Sequence, residues 1–171
     1  INKANMIKLA VSACLLGHNV RYDGKNKRID LSLLFPSDEF TLTAICPEVN
    51  MGMGIPRKPI QMINHNNQLQ LVQVENPKIH FENQMKNWFD QNIEFFKNFS
   101  GFILKSKSPS CGNQTTPHFQ TDGESNIGDG YFVYLLKKIN PQIAIIDEVD
   151  LMKSNLSEKF KNSFREKFPD K

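Results

Sequence analysis

Ile7-Lys-Leu-Ala-Val-Ser-Ala13 is the stretch that decides the fold, and Cys14 follows it directly. Its residues are nearly all apolar, which is typical of a central parallel strand that is buried on both faces. Further strand and helix patterns alternate along the chain, as in an α/β protein with a mostly parallel sheet. In such a sheet the carboxyl ends of neighbouring strands form the ligand crevice. The residues that follow this strand and its neighbours are therefore the first candidates for a functional site.

The remaining elements follow from apolar runs and turn residues. Strands are predicted at 40–45, 101–104 and 143–146, and a β-hairpin is predicted from 60–63 and 69–74. Asn76-Pro77 predicts the start of a helix with an apolar stripe over 81–96, and a second helix is predicted over 131–139. A last helix is predicted from Ser154 or Asn155, with one apolar face of Leu156, Phe160, Phe164 and Phe168.

Length and composition set the class of protein. The 171 residues are expected to form one domain, 1–171, with its own core, and residues 1–5 ahead of Met6 are expected to be a remnant without functional weight. The net charge of +3 with lysines spread along the chain does not favour a nucleic-acid partner. Apolar runs are too short for a membrane span, and no secretory signal is recognisable, so we expect a cytoplasmic protein. An oligomeric state is not readable from the sequence.

The three cysteines each lie where a strand runs out into a loop rich in Gly, Pro and Ser. Cys14, Cys46 and Cys111 are far apart in sequence and form no Cys-x-x-Cys motif, and an odd number argues against a disulfide framework. Buried structural thiols are the commoner outcome on count alone, but the loop context favours convergence at one site. Three thiolates would hold zinc with one open position, with His18 or His118 as an added ligand, or an iron–sulfur cluster. The all-cysteine set tilts towards the cluster.

Polar residues beside the cysteines are candidates for chemistry. Glu48 lies two residues after Cys46, where a carboxylate could act as general acid or base, and its alternative role is that of a surface or capping glutamate. Ser108 and Ser110 flank a proline and could donate to a bound substrate or stabilise the turn. Both interpretations stay open at the level of individual residues.

Charged residues near the same loops are weaker candidates. Lys105, Lys107 and Arg57 could bind an anionic group, although solvated lysines are more common. Asp23-Gly24 is a turn motif first, and Asp23 would contact a substrate only if its loop folds over the site.

Several short motifs, taken together, are far more specific for a protein family than any of these single residues. Val11-Ser-Ala-Cys-Leu-Leu-Gly17, Arg21-Tyr-Asp-Gly24, Cys46-Pro-Glu48, Pro56-Arg57, Leu104-Lys105 and Ser108-Pro-Ser-Cys-Gly112 occur in this order between 8 and 149. They resemble the DUF523 family, whose members include thiouracil desulfidases with a [4Fe–4S] cluster on three cysteines. The resemblance implies a Rossmann-like fold, which we expect to be a three-layer α/β fold with a mostly parallel sheet and a small β-hairpin insertion.

The resemblance also implies roles for particular residues. Cys14, Cys46 and Cys111 would be the ligands of a [4Fe–4S] cluster that is readily lost in air, with zinc less favoured. Glu48 and Ser108 would be the catalytic pair. We further predict that the substrate contacts Ser12, Asp23, Lys105 and Ser110. Val20 stands where many relatives have a further cysteine, which leaves the three inferred ligands intact.

The activity implied by the resemblance is a desulfidation without net electron transfer. The expected substrate is a small thiolated nucleobase such as thiouracil, which water would convert to uracil and sulfide. Two alternatives remain: an accessory protein that carries a metal or iron–sulfur cluster, and a desulfidase that acts on thiolated nucleosides in tRNA. The modest charge counts against the tRNA alternative.

Overall fold

A computed structural model describes residues 5–165. Its strands are β1 (Ile7–Ser12), β2 (Phe40–Ile45), β3 (Ile60–His65), β4 (Gln68–Gln73), β5 (Gly101–Leu104), β6 (Thr116–Gln120), β7 (Ser125–Gly128) and β8 (Ile145–Asp147). Its α-helices are α1 (Pro47–Asn50), α2 (Glu82–Gln91), α3 (Ile93–Phe96), α4 (Tyr131–Ile139), α5 (Glu148–Leu151) and α6 (Ser154–Arg165). A short 3₁₀ turn, Ala13–Leu16, follows β1.

The main sheet is parallel throughout and has the strand order β2-β1-β5-β8. β1 lies inside it, and its Leu9, Ala10 and Val11 are completely buried. This confirms the predicted α/β fold with a mostly parallel sheet. A nearly all-apolar strand occupies the interior because both of its faces are covered by other layers.

Alternation along the strands divides the core between the two faces of this sheet. Ala10, Phe102 and Leu104 pack on one face with α2, α3 and α4, where Trp88, Phe89, Phe96 and Phe132 form an aromatic cluster. Leu9, Val11 and Ile103 pack on the other face with Phe35, Phe40 and the α6 residues Phe160 and Phe164. The sheet is thus the middle of three layers, as expected from the sequence.

A second sheet, in the order β4-β3-β6-β7, lies beside the first. Its β3–β4 hairpin was predicted, and Asn66 and Asn67 form the turn with positive φ angles of 51° and 61°. The sequence did not predict β6 and β7, which extend the hairpin into four strands. Thr116–Gln120 has little strand character of its own and is extended because it pairs with β3 and β7.

Several boundaries differ from the predicted ones. The helix expected after Asn76-Pro77 begins at Glu82 instead, because the Asn76 side chain accepts a hydrogen bond from the Lys78 amide at 3.2 Å and forms a turn there. The fourth main strand is Ile145–Asp147 rather than 143–146. Phe168, predicted on the face of the last helix, lies outside the described residues. No helix between residues 5 and 165 is long and apolar enough to cross a bilayer.

The aromatic cluster predicts where substitutions destabilise the fold most. Phe132 is fully buried, and its ring centroid lies 5.2 Å from that of Phe96 and 6.3 Å from that of Phe102. We expect Phe132→Ala to lower the free energy of unfolding by about 3–5 kcal/mol in urea denaturation. Leu33→Ala, at a side chain that is 93% exposed, is the control and should change it by less than about 0.5 kcal/mol. Equal effects of the two substitutions would contradict this account of the core.

Candidate functional site

A cavity of about 340 Å³ opens at the carboxyl ends of β1, β2 and β5. All three cysteines line it, although 32 and 65 residues separate them along the chain (46 − 14 and 111 − 46). The polar and charged residues that share the lining are Ser12, Arg21, Tyr22, Glu48, Arg57, Lys105, Ser106, Lys107 and Ser108. The topology therefore places the sequence-predicted thiols together at the crevice expected of a parallel sheet.

Local backbone contacts fix each cysteine. Cys14 lies in the 3₁₀ turn after β1, and its carbonyl accepts the Lys27 amide at 2.9 Å. Cys46 precedes α1 and donates its amide to the Asn50 side chain at 2.9 Å. Cys111 donates its amide to Ser108 Oγ at 3.0 Å.

Close backbone packing holds the Cys111 loop against the start of α4. The Gly130 amide donates to the Gly112 carbonyl at 2.8 Å, and the Phe132 amide donates to the Ser110 carbonyl at 3.0 Å. A Cβ at position 130 would lie 2.5 Å from the Ser110 carbonyl carbon, so only glycine fits there. The aromatic core that holds α4 therefore also positions Cys111.

The thiols lie in a desolvated environment that contains hydrogen-bond donors. Burial raises the pKa of all three cysteines, most strongly that of Cys111. Interaction with the Ser12 hydroxyl at Cys111, and with the Val49 and Glu48 amides at Cys46, acts in the opposite direction and lowers the pKa of each thiol in part. Donors of this kind stabilise a metal-bound sulfur and tune the properties of an iron–sulfur centre.

The arrangement of the potential metal ligands limits which metal group they could hold. Within residues 5–165, no three His, Cys, Asp or Glu side chains lie close enough to surround a single metal ion. His118, a proposed fourth zinc ligand, instead bonds through Nε2 to the Asp129 carbonyl at 2.7 Å, and neither it nor His18 lines the cavity. Three soft thiols around one cavity fit a larger group whose metal atoms each take one thiolate, as in an iron–sulfur cluster.

Glu48 is held at two points beside the cysteines. Its Oε1 accepts from Arg57 Nε at 3.0 Å, and its Oε2 accepts from the Ser110 hydroxyl at 2.9 Å. The Glu48 side chain is 13% exposed and that of Arg57 is 7% exposed. Charge-assisted hydrogen bonds of this kind fix the orientation of the carboxylate relative to the cavity.

A second ion pair fixes the other side of the cavity. Lys105 Nζ donates to Glu148 Oε1 at 2.6 Å and also to the carbonyl and hydroxyl oxygens of Ser106. Glu148 in turn accepts the Ser106 amide at 2.8 Å. An ammonium group has three donors, so these contacts use the whole hydrogen-bonding capacity of Lys105.

Sequence reasoning missed Glu148. It follows β8 and begins α5, where the buried Asp147 side chain accepts the Val149 and Asp150 amides. The acidic pair Asp147-Glu148 at the carboxyl end of an apolar strand could have indicated a site residue, because such residues lie at the crevice edge of the sheet.

The predicted substrate-binding residues differ in their position relative to the cavity. Ser12 lines the cavity, but its Oγ accepts the Lys105 amide at 2.9 Å and contacts the Cys111 sulfur. Ser110 is completely buried against Glu48 and does not line the cavity. Asp23 is exposed, does not line the cavity, and shapes its own turn by accepting the Lys25 amide at 3.0 Å.

Comparisons with known proteins show which proteins the chain resembles. A family model described as 2-thiouracil desulfurase matches residues 9–148. The "uncharacterized protein YbbK" of Bacillus subtilis (strain 168) is 26% identical over 153 residues, which are 83% of this chain and 97% of that protein. A solved structure of the [4Fe–4S]-dependent thiouracil desulfidase TudS has the same fold, with a TM-score of 0.65 and 28% identity, and the match covers 90% of this chain and 98% of that chain.

The Lys105–Glu148 pair predicts a pH-dependent contribution to stability. Burial acts to raise the pKa of Glu148, but the contacts with Lys105 and Ser106 outweigh it and hold the pKa below its ordinary value. Such a carboxylate stabilises the fold above the unfolded-state pKa of about 4.3, and this contribution is lost as the pH falls through the lower folded-state value. We expect Glu148→Gln to cost about 2–3 kcal/mol at pH 7 and progressively less below pH 4.3.

Urea unfolding of both proteins between about pH 3 and 8 measures this difference. Glu94→Gln is the matched control, because the Glu94 side chain is 88% exposed and pairs only with the neighbouring surface Lys97. A stability difference for Glu148→Gln that stays constant across the acidic range would contradict the ion-pair explanation.

Proposed function

The chain belongs to the 2-thiouracil desulfurase family, and from this premise we propose that it removes sulfur from a small thiolated pyrimidine such as thiouracil. The balanced reaction consumes one water and releases uracil and hydrogen sulfide, with no net transfer of electrons. The observation that carries the proposal is the meeting of Cys14, Cys46, Cys111 and Glu48 on one cavity at the end of the parallel sheet.

We propose that the three cysteines hold a [4Fe–4S] cluster. Two buried thiols and one partly buried thiol on the same cavity, with polar donors near two of them, support this, as does the cluster dependence of TudS. When bound, such a cluster would supply one iron without a protein ligand, a Lewis acid with affinity for a thiocarbonyl sulfur.

Glu48 is the proposed general acid and base. Arg57 and Ser110 orient its carboxylate, and each oxygen keeps a lone pair beyond these two contacts. It would take a proton from the water that attacks the ring carbon and return it to the departing sulfur. Pro47, Pro59 and Ile60 also line the cavity and would provide apolar surface for a flat base.

Ser108 is the proposed substrate-orienting residue. Its Oγ accepts the amides of Ser110 and Cys111, at 3.2 and 3.0 Å, so its position is fixed by the backbone. Within residues 5–165, the Ser108 hydroxyl accepts hydrogen bonds but donates none. This donor lines the cavity and is available to the substrate or to the attacking water.

The decisive experiment is anaerobic reconstitution with iron and sulfide, followed by metal analysis and a sulfide-release assay on 2- and 4-thiouracil. We expect about four irons per chain and release of sulfide. Cys14→Ser should bind much less iron while keeping its far-ultraviolet circular dichroism, because serine is a poor ligand for a soft site. Iron without sulfide release would favour a cluster carrier or a tRNA substrate, and a full cluster in Cys14→Ser would contradict the ligand set.

Replacement of Glu48 separates chemistry from cluster binding. We expect Glu48→Gln to retain its iron and to lose turnover by about 10²- to 10⁴-fold, because the amide cannot exchange the proton. Glu75→Gln, at a carboxylate that is 59% exposed, removes the same charge at the surface and should keep full activity. Undiminished turnover in Glu48→Gln would remove this residue from the mechanism.

A further inference from the structure

Four cationic side chains line the cavity, and they differ in how far the protein already uses them. They are Arg21, Arg57, Lys105 and Lys107. Arg57 is paired with Glu48 and also donates to two backbone carbonyls, and Lys105 has all three donors engaged. Lys107 is exposed to solvent, which satisfies its ammonium group.

Arg21 is the exception. Its Nε is buried, and no hydrogen-bond partner for it exists among residues 5–165. The centroid of the Tyr22 ring lies 6.0 Å from the Arg21 guanidinium carbon, at the limit of a cation–π contact. A buried donor without an acceptor costs free energy, so such a group is expected to have a function or a ligand.

The loop that carries Arg21 is held rigidly in place. Arg57 contacts the residues on both sides of it: its guanidinium donates to the Val20 carbonyl at 2.8 Å and its amide donates to the Tyr22 carbonyl at 2.9 Å. The Gly24 amide closes the turn on the Arg21 carbonyl at 2.9 Å, with a φ of +74° that favours glycine. Arg57 thus holds the loop that places Arg21 at the cavity, and it also orients Glu48.

We propose that Arg21 is a specificity-determining residue that binds the ring oxygen which remains on the thiolated pyrimidine. This inference rests on the proposed desulfidase function and names the part of the substrate that the protein recognises. A guanidinium offers its donors in a planar fork that matches an oxygen acceptor in the plane of a flat base. A thiocarbonyl sulfur is the weaker acceptor, so this contact would orient the base with its oxygen at Arg21 and its sulfur towards the cysteines.

The predicted substrate contact therefore moves from Lys105 to Arg21. Lys105 has no donor left for a ligand, whereas Arg21 lines the same cavity and its Nε has no partner among the described residues. A competing role for Arg21 is to offset negative charge on the cysteines, since it is one of the groups that act on Cys14. If Arg21 binds the ring oxygen, the effect of its substitution should depend on that oxygen. If Arg21 only offsets charge on the cysteines, the effect should not depend on it.

The first test is binding of the product base, which needs no turnover. Isothermal titration of the anaerobically reconstituted protein with uracil should show affinity that falls about 10- to 100-fold in Arg21→Gln, with a smaller loss in Arg21→Lys, which keeps the charge but not the fork. Lys25→Gln is the matched control: it removes one positive charge from an exposed side chain of the same loop that does not line the cavity. Equal uracil affinity in wild type and Arg21→Gln, or no uracil binding by the wild type, would overturn the inference.

The second test compares two substrates. The rise in KM caused by Arg21→Gln should be large for 2-thiouracil, which keeps one ring oxygen, and small for 2,4-dithiouracil, which has none. Iron content should be unchanged in the variant. An equal rise for both substrates, or a loss of iron, would overturn the inference in favour of charge compensation. Arginine-dependent uracil binding without sulfide release would instead uphold the inference and contradict the proposed reaction.

Discussion

The parallel register of β1 against its two neighbours is the constraint on which the site depends. Ser12 pairs with Ile45 on one side, and Val11 pairs with Ile103 on the other, so the three strands end at the same edge of the sheet. Each strand is followed within a few residues by a loop that carries one cysteine. A slip of one residue would turn the apolar side chains of β1 to the opposite faces and would also displace Cys14 from the shared cavity.

Arg57 links the parts of the cavity wall that come from different loops. Its side chain is almost completely buried, a costly placement for a cation, and the Glu48 carboxylate and the Val20 carbonyl offset that cost. One guanidinium therefore fixes the proposed proton carrier and the loop of Arg21 at the same time. Because the two share this partner, substitutions at Glu48 and Arg21 are expected to show energetic coupling.

Local patterns were sufficient to predict part of this molecule. The bounds of β2, β5 and α4 agree with the sequence, since short apolar runs between glycines, prolines and polar turns leave few alternatives. The common cavity of the cysteines was predictable because each one follows a strand. The pairing of β6 with β3 and the contact between Lys105 and Glu148, 43 residues away, depend on long-range contacts that no local pattern encodes. The engagement of the Lys105 donors was not predictable for the same reason.

The contact between Gly130 and the Cys111 loop has a consequence for motion. With no side chain between the two backbones, the amides of Gly130, Tyr131 and Phe132 donate directly to the 109–112 segment. The loop cannot detach unless the first turn of α4 opens, and that turn is anchored in the aromatic core. These amides should consequently belong to the slowest class in hydrogen exchange, opening only with the whole domain. A group bound at Cys111 would therefore be attached to a backbone segment that moves only when the whole domain opens.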